Sequence, residues 1–476
     1  VEVAPLPAVV PPGLTVHAAE AHMVATPPVA VKKAATLVSR MLQQKAPVTR
    51  AAAAAAGAGA GQAGGNVKPK VFFLFMVYGR INNQVVWERF LAGGYGKGID
   101  YQALVHCKTE SECRLNIRSH LFEIIPSVST QYCIDLVGGM NALLHAALLR
   151  AGPVQNEYDK FVFLSDSTLP VKPLVWIHHY LTDDSNSDFC VFPRNEWAEV
   201  PQNLPGGESV VHLAVKHHQW VVLGRPHAEE AVRRSHEHMD LMTRFQLNMG
   251  YHNTGCLDEF WLFATMYREL VLTGKPATYQ LKGFNGGPLN STNYEIQGRC
   301  DTFVHWVPRA EGKHNNMSLL AEELAGEPGT VMAPATESRP ASFSRLSGDA
   351  LVAMRNSNFI FARKIEDQTA FSGCAKLEDA FDELIFKEKP LDVLPGHEKS
   401  FVGDGVWLDN QRTPVTITSR HGSLKLQGSG IDMFATGGYC GNDIEVIFEN
   451  GYQSSAAVSP DGNWLRWANG AVWPRA

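Results

Sequence analysis

Val71–Val77 is apolar at every position, and Tyr101–His106 and Phe161–Leu164 look alike in length and apolar weight. A strand with one wet face would alternate apolar and polar residues. An unbroken apolar run of strand length therefore predicts a strand covered on both faces. Between the last two runs lies Met140–Leu149, rich in good helix formers, which predicts a helix with a buried face. Strands alternating with helices imply an α/β domain with a mostly parallel sheet. Ligands of such sheets sit beyond the carboxyl ends of the strands, where Tyr78–Arg80, His106 and Ser165–Asp166 fall.

The pattern differs at the two ends of the chain. Residues 1–68 are rich in Ala, Pro and Val and close on an Ala tract followed by Gly-Ala repeats. They bury too little apolar surface to offset the entropy of ordering, which predicts a flexible stem. The α/β pattern occupies 69–390. From about 400 to 476, turn pairs recur at roughly ten-residue spacing: His421-Gly422, Gly437-Gly438, Asn450-Gly451, Asp461-Gly462 and Asn469-Gly470. With Val415–Thr418, Ser423–Leu426, Ile444–Phe448 and Trp464–Trp467 between them, they predict a small antiparallel β domain of five to seven strands. It needs no strand from the α/β sheet, so it is expected to be a separate unit.

Composition narrows the function. The chain has 476 residues, 45% of them hydrophobic and 19% charged, which fits a largely globular protein of two or three domains. A net charge of -6 excludes the basic footprint of a nucleic-acid binder. Anionic substrates must then be met by local cations. No apolar run is long enough for a transmembrane helix, which takes about 18 residues or more. Because the sequence opens on Val, a membrane anchor before it is the expectation. The even count of eight cysteines permits disulfides, and Cys107 and Cys113 stand close enough to close a small loop. The sequons at Asn290 and Asn316 fit a lumenal protein.

Three segments carry candidate chemistry. Asp258 and Glu259 open the apolar run Phe260–Phe263, which would fix and partly desolvate a carboxylate at a pocket wall. Arg363 and Lys364 close the apolar run Phe359–Ala362. Ser165-Asp166-Ser167 ends the strand-like run from Lys160 and offers one carboxylate, a poor site for a hard divalent cation. A base on one side and cations on the other suit a reaction that deprotonates an acceptor and expels an anionic leaving group. Gly93–Gly98 lacks the Lys-Ser/Thr frame of a phosphate loop and reads as a plain loop. Trp407, Trp464, Trp467 and Trp473 serve either a small β core or sugar stacking.

In this order the segments resemble the core-2/I-branching β-1,6-N-acetylglucosaminyltransferase family, which includes peptide O-xylosyltransferases and plant and algal relatives. The match runs over about residues 70–385. The resemblance implies a GT-A-like α/β fold, in which helices flank the mostly parallel sheet, and an inverting, metal-independent transfer from a UDP-sugar to a glycan or glycoprotein hydroxyl. The donor would be UDP-N-acetylglucosamine, UDP-xylose or UDP-glucuronic acid, with no further cofactor. By motif, Glu259 is the general base and Asp258 its support. Phe361–Ile365 matches the family's Phe-Ala-Arg-Lys-Phe signature, placing phosphate contacts on Arg363 and Lys364. A second phosphate-binding Arg upstream is met equally by Arg339 and Arg345. Asp166 falls where the family touches substrate. His106 falls near its nucleobase site, although Cys107-Lys108 replaces the expected Val-Asp. Lys216–Arg225 resembles a family segment of an aromatic, a hydrophobic triplet and Arg, with His217-His218 departing from it. Such enzymes are type II Golgi membrane proteins. The competing reading is a family member without activity that binds glycans, its β domain doing the recognition.

Overall fold

The computed structural model describes residues 68–133, 136–152, 156–192, 198–203, 209–235, 256–266, 271–273, 280–282, 296–297, 299–306, 315–336, 339–373, 375–388, 401–420, 422–428 and 434–476. The expected stem up to residue 67, the sequon at Asn290 and the link over 389–400 lie outside them.

The apolar runs form β1 (Lys70–Val77), β2 (Asp100–Cys107) and, after a short β3 (Phe122–Ile124), β4 (Lys160–Ser165). β1 pairs in parallel with β2 and β4, and β2 with β3. The two buried faces of β1 feed two different cores. Phe73 and Phe75 pack with Trp87 and Phe90 of the Gln84–Ala92 helix. Phe72 and Leu74 pack with Met140, Leu143 and Leu144 of the Leu136–Ala151 helix. Successive strand residues point to opposite faces, so a run apolar at every position is what a strand between two helical layers requires.

Five further segments follow: β5 (Leu169–Pro170), β6 (Ser187–Asp188), β7 (Ala198–Asn203), β8 (Ser209–Ala214) and β9 (Val222–Gly224). Then come β10 (Val271–Thr273), β11 (Gln280–Lys282) and β12 (Ile296–Gln297). The main sheet has the order β12-β6-β9-β4-β1-β2-β3, with β9 antiparallel to its neighbours. β7, β8, β10 and β11 form a separate antiparallel sheet. The mixed α/β content and mostly parallel main sheet are as expected. From β1 the chain builds outward through β2 and β3, then returns to the other side with β4. That reversal opens a crevice at the carboxyl ends of β1 and β4.

A last set of strands closes over this crevice. β13 (Thr302–Val304) runs parallel to β16 (Phe361–Arg363), which pairs with β5. β14 (Val331–Ala333) and β15 (Ser342–Leu346) join β17 (Ile365–Phe371).

The C-terminal part is a nearly closed antiparallel sheet of eight strands. They are β18 (Gly405–Leu408), β19 (Pro414–Arg420), β20 (Ser423–Gly428), β21 (Phe434–Cys440), β22 (Asp443–Phe448), β23 (Gln453–Val458), β24 (Trp464–Trp467) and β25 (Val472–Pro474). A bridge from Trp407 to Arg475, and the Ala476 N–H on the Val406 carbonyl at 2.9 Å, bring first strand and last together. Trp407, Trp467 and Trp473 fill its core, while Trp464 is 50% exposed.

One expected turn is corrected. Gly437-Gly438 lies inside β21, and the reversal comes at Gly441, whose φ is 59°. The glycines are needed for close approach. A Cβ on Gly437 would stand 1.8 Å from the Glu445 carbonyl oxygen, and one on Gly438 would stand 2.8 Å from the Gly373 nitrogen. Gly329 packs on the same strand, its added Cβ falling 2.6 Å from the Gly437 carbonyl oxygen. Among the described residues the α/β part meets the barrel at this bare backbone and at two long ion pairs, Arg345–Glu445 and Arg420–Asp349, each at 3.8 Å. The apolar core of the barrel contains barrel residues alone.

Disulfides join Cys107 to Cys113, Cys133 to Cys256 and Cys190 to Cys300, and Cys440 is also disulfide-bonded. Among the described residues no helix is long and apolar enough to cross a membrane.

Candidate active site

The basic pair is delivered to the crevice by main-chain bonds. The Ile365 N–H donates to the Ser167 carbonyl at 2.8 Å, just past β4. Asn82 and Asn83, just past β1, donate through their side chains to the Ile365 and Glu366 carbonyls at 3.2 and 2.7 Å. The Asn82 N–H in turn donates to the Asp166 carbonyl at 2.8 Å. The ends of β1 and β4 and the β16–β17 junction therefore form one knot, with Asp166, Arg363 and Lys364 in it.

Arg363 is half-buried, with the charges of Asp166 and Asp258 acting on it. Its guanidinium carbon lies 4.2 Å from the centre of the Trp220 ring, and its Nε has no hydrogen-bond partner. No ion pair reaches it or Lys364 among the described residues. An aromatic face attracts a cation through its quadrupole without neutralising it. Burial lowers the Arg363 guanidinium to about 10, while Asp166, Tyr132 and Asp258 oppose the shift. It stays charged at neutral pH. Trp220 reaches this place because Val221, next to it, accepts the Phe163 N–H at 3.0 Å as β9 runs antiparallel to β4.

The acidic pair arrives from the opposite wall. Leu257–Glu259 form one turn of 3-10 helix leading into the Trp261–Met266 helix, as its apolar run predicts. Leu257, Phe260, Trp261, Leu262 and Phe263 are buried against the Leu136–Ala151 helix and β4. Asp258 is 3% exposed, and its Oδ1 has no partner. Desolvation first, then the neighbouring Glu259 charge, raises its carboxyl to about 7, with Arg363 among the groups opposing. Glu259 is more open. Its Oε2 accepts the Cys256 N–H at 3.3 Å and faces the Lys216 ammonium at 3.6 Å. Its carbonyl accepts the His217 N–H at 2.8 Å, tying segment 216–218 to this turn.

The two walls meet around Tyr132. Its hydroxyl is raised by desolvation and by the charges of Asp258 and Glu259, with Arg363 pulling the other way. The Cys133–Cys256 disulfide fixes the next residue to the residue two before Asp258.

The other expected site residues fall elsewhere or are occupied. His106 is buried at the end of β2 and accepts the Val128 N–H on Nε2 at 3.1 Å. Burial lowers its pKa, which favours the neutral ring that accepts from Val128. Arg345 turns toward Glu445 of the barrel, and Arg339 is exposed in a turn bridged to Thr336. The structure brings together Asp166, Asp258, Glu259, Arg363 and, beside Arg363 in the chain, Lys364. It does not bring Arg345 to them. His217 is fully buried, donates from Nδ1 to the His218 carbonyl at 2.7 Å and is held near 4 by burial.

Sequence reasoning missed three members of the site. Trp220 was visible in its segment, but nothing pointed to Arg363 as its partner. Lys216 opens the same segment, but nothing there pointed to Glu259 as its partner. Tyr132 stands in a stretch with no periodic signal, and only its place next to Cys133 marked it. Comparison with protein-family models and with curated proteins finds no match to this chain.

Proposed function

We propose that this chain is an inverting glycosyltransferase that moves a sugar from a UDP-sugar to a hydroxyl acceptor, with its site at the carboxyl end of β4. The observation that carries this reading is the meeting of Arg363, which has no ion pair among the described residues, with the acidic Asp258–Glu259 turn at the sheet's switch point, Lys364 following it in the chain. A diphosphate leaving group departs with two to three negative charges. Such charge needs fixed partners that no internal carboxylate has already claimed. The parallel strands β3-β2-β1-β4 beside an antiparallel β9 accord with a GT-A-like domain.

In the proposed step the acceptor oxygen attacks the anomeric carbon from the face opposite the diphosphate. Glu259 takes the hydroxyl proton as the new C–O bond forms. The bond from the anomeric carbon to the phosphate oxygen breaks with its electron pair, and Arg363 and Lys364 receive the developing charge. Asp258, buried behind Glu259 and close to half-ionised at neutral pH, limits the negative charge that gathers beside the base. Asp166, the one carboxylate of its turn, lies beside Arg363 and orients it. In this reading the two cations take the place that a divalent metal holds in other nucleotide-sugar transferases.

Binding tests the anchor directly. Lys364→Ala should weaken UDP about tenfold or more while leaving uridine affinity nearly unchanged, because the nucleoside lacks the diphosphate. Equal losses for the two ligands by calorimetry would remove Lys364 from the phosphate site.

A further inference from the structure

A second cluster of charge lies buried toward the edge of the main sheet. Arg299 holds two carboxyls at once: its Nη2 stands 2.6 Å from Asp188 Oδ2 and its Nε 3.2 Å from Asp301 Oδ1. Asp188, in β6, is 2% exposed, and Asp301, just before β13, is 3% exposed. No donor reaches Asp188 Oδ1 or Asp301 Oδ2, yet the two carboxyls lie within hydrogen-bond reach of each other. The Tyr180 hydroxyl, from the Leu174–Leu181 helix, donates to Asp301 Oδ1 at 3.3 Å. Lys160, fully buried at the start of β4, is taken up by Asp184 at 3.1 Å and by the Asn186 carbonyl. Among the described residues Arg299 is therefore the cation in contact with the pair, and it is shared. On the other face of β6, Ser187 meets His227 Nδ1 at 2.8 Å. The Cys190–Cys300 disulfide joins the residue two past Asp188 to the residue before Asp301, which holds the two segments together.

We infer that Asp188 and Asp301 share one proton at neutral pH, and that this proton locks the strand bearing Arg363 to the edge of the main sheet. Two ionised carboxylates out of water, with one guanidinium between them, repel each other. One retained proton removes a charge and supplies the donor that the unpartnered oxygens lack, so the pair titrates as a unit. Both carboxyls are raised, first by burial. The Asp301 charge adds to the shift at Asp188, and Arg299 and Lys160 oppose it. The folded chain then keeps a proton that the unfolded chain releases above about pH 4. This contribution to stability is complete below that pH and is lost as pH rises through the titration of the pair. The lock reaches the crevice through the main chain. The Asp301 carbonyl accepts the Ile360 and Phe361 N–H groups at 2.9 and 3.1 Å, and β13 pairs Val304 with Arg363. Loss of the proton places a second negative charge at that anchor and loosens it. The device goes beyond the sugar-transfer reading and does not depend on it.

Infrared spectroscopy of the full chain tests the shared proton. At neutral pH the wild type should show the C=O stretch of an un-ionised carboxylic acid that Asp188→Asn lacks, and Asp301→Asn should lack it too. Either amide neutralises one member, so the other ionises against Arg299. Wild-type and variant spectra without that difference overturn the inference. Should one variant misfold, the other supplies the same comparison, and titration of the band in the wild type needs neither. Hydrogen exchange then tests the lock. At a pH where the band has gone, the Ile360 and Phe361 amides should exchange about tenfold faster in the wild type than in Asp188→Asn at the same pH. Where the band is present, the two proteins should exchange alike. A wild-type to variant ratio that does not change as the band disappears overturns the lock.

Discussion

At the residue scale, Asp258 and Glu259 are neighbours in the chain with opposite situations. Glu259 is partly open and faces Lys216, whereas Asp258 is buried with an oxygen unpartnered. Glu259→Gln should keep UDP binding yet lower turnover by roughly two to four orders of magnitude, because only the proton acceptor is lost. Near-wild-type turnover would exclude Glu259 as the base. Asp258→Asn should cost less. Asp258 also makes stability depend on pH. Its carboxyl is raised from 3.8 to about 7, so the folded chain holds a proton that the unfolded chain releases. This favourable contribution is complete below about pH 4 and is lost as pH rises through 7. Asp258→Asn should flatten that slope and be the more stable protein at pH 8, by on the order of 1 to 3 kcal/mol. Denaturant melts at pH 5 and pH 8 decide it; an unchanged slope in the variant would mean Asp258 ionises normally. The carboxylates themselves were legible in the sequence as a pair opening an apolar run. Their unequal burial was not, since adjacent residues of one turn differ only through what packs on them.

At the element scale, β1, β2, β4 and the Leu136–Ala151 helix were legible because each is buried on a scale that composition records. β4 continues straight to Asp166, so that residue was placed correctly at a strand end. What the sequence could not show is contact at long separation. Arg363 meets Trp220 across 143 positions (363 minus 220). Arg345 and Arg339 were equal candidates on spacing, and only the register of β15 on β17, which pairs Arg345 with Ala370, turns Arg345 toward the barrel. The Cys133–Cys256 bond spans 123 residues and joins the Tyr132 turn to the acidic turn. Replacing both cysteines by Ala should destabilise the chain by about 2 to 5 kcal/mol. It should also reduce turnover more than UDP affinity, as the bond orders the base side and not the cation side. A larger loss of UDP affinity than of turnover would contradict that division.

At the scale of the whole molecule, the sequence separated an α/β part from a β part near residue 400; the barrel's apolar core is built from its own residues, while the described residues from 68 onward form one compact unit. The expected strand count fell short of eight because β23 and β25 are short or polar, and Gly437-Gly438 read as a turn although it is a docking strand. Among the described residues the contact between the parts includes glycine backbone and ion pairs at 3.8 Å, and Cys440 of the barrel is disulfide-bonded. A chain ending near Pro395 should therefore stay folded and soluble, melting several degrees lower, and hydrolyse donor slowly. Insolubility or loss of the cooperative melt would make the barrel a structural support.

In the proposed function the whole crevice acts as one: Arg363, Lys364 and a carboxylate base work together on a UDP-sugar without a metal. It is tested most directly by UDP release from UDP-N-acetylglucosamine, UDP-xylose and UDP-glucuronic acid, measured in excess EDTA with and without added manganese. At least one donor should yield UDP in EDTA, at a rate that manganese leaves within about twofold. Release that is absent in EDTA and restored by manganese, or no release from any of the three donors, would contradict it.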